Sequence, residues 1–337
     1  MTSGTSQTGR DLTALPKTDL HVHLEGSIRA ATLAQLAAGN GTDLPADLRD
    51  GRYEFRDFPH FITQWVAVLQ SLRTREDFRR IAVEFCRDEA AQGVRYAEAH
   101  FSLPEHGPRV GEWDLPVEGV LEGFADGGSD WGITCALIVD VVRGLDLGLS
   151  RRAMEVAVAY AGAGVVGLGL GGSESHPPEA YEGIFRAGME AGLHSVPHAG
   201  ETQGPAGIRA AVAALRAERI GHGIRVLEDP RLVEDLAARG IPFDVCPTSN
   251  VMTRVVPSLE HHPLPGMIRA GLTVTLNSDD PAMFSSPVAG EYEAARRVFG
   301  FEDSALADLA RAGARASFAD GETRLQLERG IDEWLST

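Results

Sequence analysis

Four segments of the second half, 193-LHSVPHAGE-201, 219-RIGHG-223, 242-PFDVCPTSN-250 and 273-TVTLNSDDP-281, run from apolar or alternating residues into a polar end. Read as strands, all four fall within about ninety residues. Helical patterns lie between them, with Leu232, Val233 and Leu236 making one apolar face. Outward from this block, 18-TDLHVHL-24, 93-GVRYAEAHF-101, 132-GITCALIVDV-141 and 165-VVGLGLGG-172 repeat the arrangement. Phe78, Ile81, Ala82 and Phe85 form a helical face between them, as do Val117, Val120, Leu121 and Phe124. Eight strand–helix units imply parallel strands joined by helical crossovers, hence α/β architecture and a (β/α)8 TIM barrel. The rival, a doubly wound open sheet, places a glycine-rich phosphate loop after its first strand, and 21-HVHLEGS-27 is not one.

One connection is too long for a single crossover helix, from Ser27 to Gly93. It contains 53-YEFRDFPHFITQWVAVLQSL-72, in which Phe55, Phe58, Phe61 and Trp65 form an aromatic stripe. That stripe either packs against the barrel or makes a helical lid over its mouth, where loops after strands carry function. No linker interrupts the pattern. Residues 11–337 are expected to be a single domain, preceded by a flexible Ser/Thr/Gly tail at 1–10.

The 337 residues carry a net charge of −17, with 43% hydrophobic residues, an ordinary globular composition. Such an acid excess argues against nucleic acid and against an anionic membrane surface, both of which need Lys and Arg. Three cysteines without a CxxC spacing point to a reducing compartment, and no signal peptide or spanning segment is visible, so a cytoplasmic location is expected.

The polar residues collect at the ends of the predicted strands, which meet on one face of a barrel. His21 and His23 are two apart, so both point inward while Leu20, Val22 and Leu24 point to the helices. Two imidazoles in a barrel centre need partners, and a divalent metal such as zinc suits neutral imidazole. His198 ends the fifth strand, His222 the sixth, and Asp279 and Asp280 the eighth. Adjacent carboxylates in an extended segment diverge, so one is expected on metal and the other free for substrate. His60, His106, His176, His261 and His262 read as solvated loop residues. His100 and His194, on strands, read as hydrogen-bonded structural residues.

The segments 16-PKTDLHVHLEGS-27, 165-VVGLGLGGSE-174, 198-HAGE-201, 219-RIGHG-223, 246-CPTSN-250 and 277-NSDDP-281 resemble, in order, the adenosine deaminase family of the amidohydrolase superfamily. The resemblance implies hydrolytic replacement of a purine 6-amino group by oxygen, with one zinc ion per chain. By motif it implies His21, His23, His198 and Asp279 as zinc ligands and Glu201 as proton donor to purine N1. It implies His222 as the group that deprotonates or orients the attacking water, Asp280 at N7 and the Gly172 N–H at N3. Two departures stand out: Glu25 replaces the Asp that nucleoside enzymes present to the ribose 5′-hydroxyl, and Gly171-Gly172-Ser173-Glu174 replaces the usual AGDE.

Four functions compete on these residues. The leading one is deamination of a 6-aminopurine nucleoside, adenosine itself or a 5′-extended one such as aminodeoxyfutalosine, which bears a benzoate at its 5′ end. Arg143 or Arg225 is the expected partner of that carboxylate. The second is deamination of free adenine, whose family members resemble RIDHG where this chain has Gly221. The third, a two-metal hydrolase, needs a bridging Lys or Glu on a strand, and Lys17 lies before the first strand. A non-catalytic barrel is the fourth, and it is expected to have lost a ligand or the acid. Oligomeric state is not readable from these residues.

Overall fold

In the computed structural model the described residues are 9–46, 48, 53, 55–56 and 58–337. Eight parallel strands follow one another in chain order around a barrel. They are β1 (Lys17–His23), β2 (Val94–Phe101), β3 (Thr134–Val142), β4 (Val165–Gly171), β5 (His194–Ala199), β6 (Ile220–His222), β7 (Phe243–Val245) and β8 (Val274–Leu276). The barrel closes where the His23 N–H donates to the Asp279 carbonyl at 2.7 Å and the Asp279 N–H to the His21 carbonyl at 2.9 Å. The structure is therefore a (β/α)8 TIM barrel, as the alternation predicts.

Alternation along β1 decides which side chains face the lumen. Leu20, Val22 and Leu24 are fully buried under the helices, while His21 and His23 project to the centre. Each buried aliphatic side chain stabilises by about 1.5–3 kcal/mol, so this strand has one stable facing. Strands β6 to β8 are shorter than the sequence suggests. Pro247 and Pro281 each open a short helix, at Pro247–Met252 and at Pro281–Phe284, because proline fits the first helical turn and ends a ladder.

Helices α1 (Ala30–Asn40) and α2 (Phe58–Ser71) make up the insertion after β1, and α3 (Arg75–Ala91) is the crossover to β2. A capping box between Thr74 and Asp77 starts α3, which buries Phe78, Ile81, Ala82 and Phe85. The far end of the lumen is plugged by ions. Fully buried Arg219 donates to Asp244 and Glu98, at 2.5 Å each, and to the Leu20 carbonyl at 3.1 Å. A buried charge of this kind persists only when every donor has a partner. The expected tail falls largely on residues outside the described set. Arg10, its last member, is held: its N–H donates to Asp303 and its carbonyl accepts from Arg296.

Among the described residues, no helix is long and apolar enough to cross a membrane. The three cysteines are unbridged; the Cys86 and Cys135 sulfurs lie 3.5 Å apart.

Candidate active site

The C-terminal ends of the strands bring His21, His23, His198, His222, Asp279 and Asp280 together. The Nε2 atoms of His23 and His198 are 3.2 Å apart, and Asp279 Oδ1 lies 3.4 Å from His23 Nε2 and 3.6 Å from His21 Nε2. His21, His198, His222 and Asp279 offer ligand atoms all within 4.8 Å of one another. Both nitrogens of His21, Nδ1 of His23 and Nδ1 of His198 are buried without a hydrogen-bond partner. Unpaired buried imidazole is costly, and a divalent cation is the partner this donor set fits. The charges agree. Burial works against a protonated His23, yet Asp279, Asp280 and Asp140 outweigh it and push its pKa up to about 10. Burial likewise works against ionised Asp279, but His222, His23 and Ser249 hold it at about 2.

His222 and Asp279 adopt positive φ angles of 59° and 64°. A non-glycine residue held there costs about 1–3 kcal/mol, and such strain clusters at functional sites. The lumen floor is tight as well. A Cβ at Gly26 would stand 1.8 Å from Asp280 Oδ1, and one at Gly169 would stand 1.9 Å from Asp140 Oδ1.

Above the cluster lies a cavity of about 660 Å³. Glu201, Asp280 and Gly172 line it, as the motifs predict, and Gly172 has the positive φ of 81° that a glycine accepts freely. Burial raises the Glu201 pKa, with Asp279 and Glu174 adding to it. Burial and Asp279 push Asp280 well above the carboxylate range, and its Oδ1 has no partner. Phe61 and Trp65 of α2 line the mouth, so the aromatic stripe covers the cavity rather than merely packing on the barrel. Phe58 contributes no described side chain.

Five expected placements need correction. Arg143 is buried, and its guanidinium donates to the carbonyls of Leu170 and His198 at 3.0 and 2.7 Å. It braces β4 and β5 and is not on the cavity wall. Glu25 is fully buried behind the wall, where its Oε1 accepts from the Ser102 N–H and bonds His106, both at 2.9 Å. Its longer side chain reaches the start of α4 (Leu103–Val110) instead of the cavity. Arg225 is also committed, to Glu228 and the Thr202 carbonyl. His106 and His262 are buried and bonded, not solvated. His100 and His194 are hydrogen-bonded, to Asp140 and Glu218, as expected.

A relay runs through residues to which the sequence reading gave no role. The Leu264 N–H donates to His262 Nδ1, leaving the proton on Nε2 to donate to Asn250 Oδ1 at 3.1 Å. Asn250 Nδ2 is then 3.3 Å from both His222 Nδ1 and Glu201 Oε1. Since His222 Nδ1 accepts, its proton sits on Nε2, facing Glu201 and Asp279 at 3.8 and 3.9 Å. Asn250 belongs to the CPTSN motif, so a signal existed; His262 lies in a loop with none. Glu105 also went unread. It lines the cavity, and burial and the Glu25 charge push its carboxyl up to about 7.

The adenosine deaminase family model matches residues 16–334. The chain belongs to the adenosine deaminase family. It is accordingly a hydrolase of the amidohydrolase type. An aminodeoxyfutalosine deaminase of Streptomyces coelicolor is 39% identical, covering 97% of this chain and 87% of that one. The structure of an adenine deaminase from Arthrobacter aurescens superposes with a TM-score of 0.90 at 34% identity, covering 96% and 99% of the two chains. A Burkholderia ambifaria amidohydrolase with bound zinc superposes at 0.87 and 26% identity, over 97% of this chain and 94% of that one.

Proposed function

We propose that the chain hydrolyses the 6-amino group of an adenosine-type purine nucleoside to the 6-oxopurine and ammonia, with one zinc ion held by His21, His23, His198 and Asp279. The observation that carries this reading is the set of unpartnered buried imidazole nitrogens beside a half-buried glutamic acid of raised pKa, on the wall of one cavity. Zinc in that shell would supply Lewis acidity, making water a strong nucleophile at neutral pH.

The chain's own groups then divide the work. Attack at C6 breaks the ring's aromaticity and drives electrons onto N1. Protonated Glu201 hands its proton to N1 as that charge develops, and its raised pKa keeps the proton available. The carboxylate left behind takes the two protons shed by the attacking water in turn, passes the first to the 6-amino nitrogen, which departs as ammonia, and keeps the second. His222, with its proton on Nε2, donates to the attacking water and orients it; the relay from His262 through Asn250 fixes that tautomer. Asp280 meets N7 and the Gly172 N–H meets N3. Trp65 and Phe61 line the mouth and narrow the access of bulk water.

A cavity of about 660 Å³ is far larger than a bare purine and lies within the roughly 300–1,000 Å³ of sites for drug-sized ligands. That favours a nucleoside. The likeness to an adenine deaminase favours the free base as the second reading. Adenosine, aminodeoxyfutalosine and adenine, compared by kcat/KM, decide between them: at least tenfold in favour of a nucleoside is expected, and adenine as the best substrate rejects the proposal.

On the nucleoside reading Glu105, which lines the cavity where Glu25 does not, accepts from a ribose hydroxyl. One such hydrogen bond to the ionised carboxylate is worth about 1.5 kcal/mol, so at a pH above the value of about 7 to which Glu105 is raised, Glu105→Gln should lower the adenosine-to-adenine ratio of kcat/KM roughly tenfold. An unaltered ratio removes Glu105 from sugar recognition.

A further inference from the structure

Glu201 lies on a loop between the end of β5 at Ala199 and the next helix, which opens at Pro205. Thr202 and Gln203 of that loop are exposed. Backbone N–H groups that leave a strand ladder need other partners. Those of Glu201, Thr202 and Gln203 find theirs in one carboxylate. Glu174 Oε1 accepts from the Glu201 N–H at 3.2 Å, and its Oε2 accepts from the N–H groups of Thr202 and Gln203 at 2.8 and 2.6 Å. The Thr202 hydroxyl also donates to Oε2, at 3.0 Å. Successive N–H groups converging in this way make an anion-binding concavity, and here a side chain of the same chain fills it. From the other side Arg225 donates to the Thr202 carbonyl at 2.7 Å, and its backbone N–H to the Gly200 carbonyl at 3.0 Å.

The Glu201 side chain has no comparable hold. Its Oε1 meets Asn250 Nδ2 and Thr253 Oγ1 at 3.3 and 3.4 Å, long for bonds of their kind. Where the carboxyl stands is therefore set by its backbone, and the backbone is held by Glu174. Glu174 follows Gly172 by two residues. Their turn is itself anchored, since the Gly171 carbonyl accepts from the Arg143 N–H at 3.0 Å. One short segment thus carries the donor assigned to N3 and grips the acid assigned to N1, the two nitrogens that flank C2 of a purine.

We propose that Glu174 is a positioning residue: it holds the Glu201 loop by its backbone and sets the spacing between the acid at N1 and the donor at N3. The inference rests on the reading of Glu201 as general acid given above. Glu174 needs no contact with substrate and moves no proton; it acts through Glu201. Misplacing a reacting group by about 1 Å costs about 10²-fold in rate. An exposed loop released from these four hydrogen bonds has room for a shift of that order.

Glu174→Ala should lower kcat for adenosine about 10²-fold, with KM and metal content near those of the parent, because the acid is needed only as charge develops on the ring. Glu174→Gln, which keeps one acceptor oxygen for the loop, should recover part of that loss. The deciding measurement is the cycle with Glu201→Gln. Once the acidic proton is gone its placement is worth nothing, so adding either Glu174 variant to Glu201→Gln should lower kcat by no more than about threefold. A larger further fall overturns the proposal, since Glu174 then acts on something other than the acid. So does an unchanged kcat in Glu174→Ala, and so does a loss confined to KM. If Glu174→Ala loses its fold or its metal, Glu174→Gln decides the cycle. Parent-like turnover in Glu201→Gln alone defeats the acid reading itself, and the proposal with it.

Discussion

Glu201→Gln should lower turnover of adenosine by 10²–10⁴, the usual worth of a general acid, and leave the metal content unaltered. The substituted amide keeps the shape of the side chain and its contacts with Asn250 and Thr253, at 3.3 and 3.4 Å in the parent. It cannot deliver a carboxylic proton to N1. The loss should fall on kcat more than on KM, because the proton is needed only as charge develops on the ring. The sign of the pH effect follows from the raised Glu201 pKa. The protonated, donating form persists above the ordinary glutamate range and is lost as pH rises through the elevated value. Turnover within tenfold of the parent enzyme, with metal measured on the same sample, would falsify the assignment of Glu201 as acid.

His23→Ala should cost both metal and activity. Lewis-acid assistance is worth several kcal/mol, so a fall of about 10³ or more in turnover is expected. The companion variant His222→Ala is expected to retain its metal on our assignment, because an imidazole that accepts from Asn250 at Nδ1 carries its proton on Nε2 and offers no lone pair there to an ion. The pair is informative because the geometry offers two overlapping sets. His21, His198, His222 and Asp279 lie within 4.8 Å of one another, whereas His23 Nε2 faces His198 and Asp279 at 3.2 and 3.4 Å. Metal analysis showing loss from His222→Ala and full occupancy in His23→Ala reverses the assignment. Two ions per chain in active enzyme would reject the single-zinc site altogether.

The barrel and the inward histidines were legible because both rest on a strict period. A strand alternates faces every residue, so HVH between leucines admits only one facing. Asp279, Asp280, Glu201 and Gly172 were legible because short motifs fix them at strand ends. Side chains whose direction depends on a neighbouring element were not. Glu25 has a carboxylate like the Asp it replaces, yet one more methylene lets it reach Ser102 and His106. Arg143 stands at a strand end, but bare carbonyls of Leu170 and His198 claim it. His106 and His262 sit in segments that read as solvated loops, and only the packed structure shows that a helix and the relay enclose them. Glu105 carries no periodic or motif signal, and its place on the wall comes from the turn into α4.

The missing side chains at Gly26 and Gly169 limit how this enzyme can diverge. The carboxylates of Asp280 and Asp140 already occupy the volume that a Cβ would claim there, at 1.8 and 1.9 Å. No substitution at those two positions can retune substrate choice without displacing groups of the reaction centre. Variation that alters selectivity while sparing the chemistry is therefore channelled outward, to α2 and α4. Relatives at 39% and 34% identity bear the names of two different deaminases, a pattern that an invariant floor beneath exchangeable walls would produce.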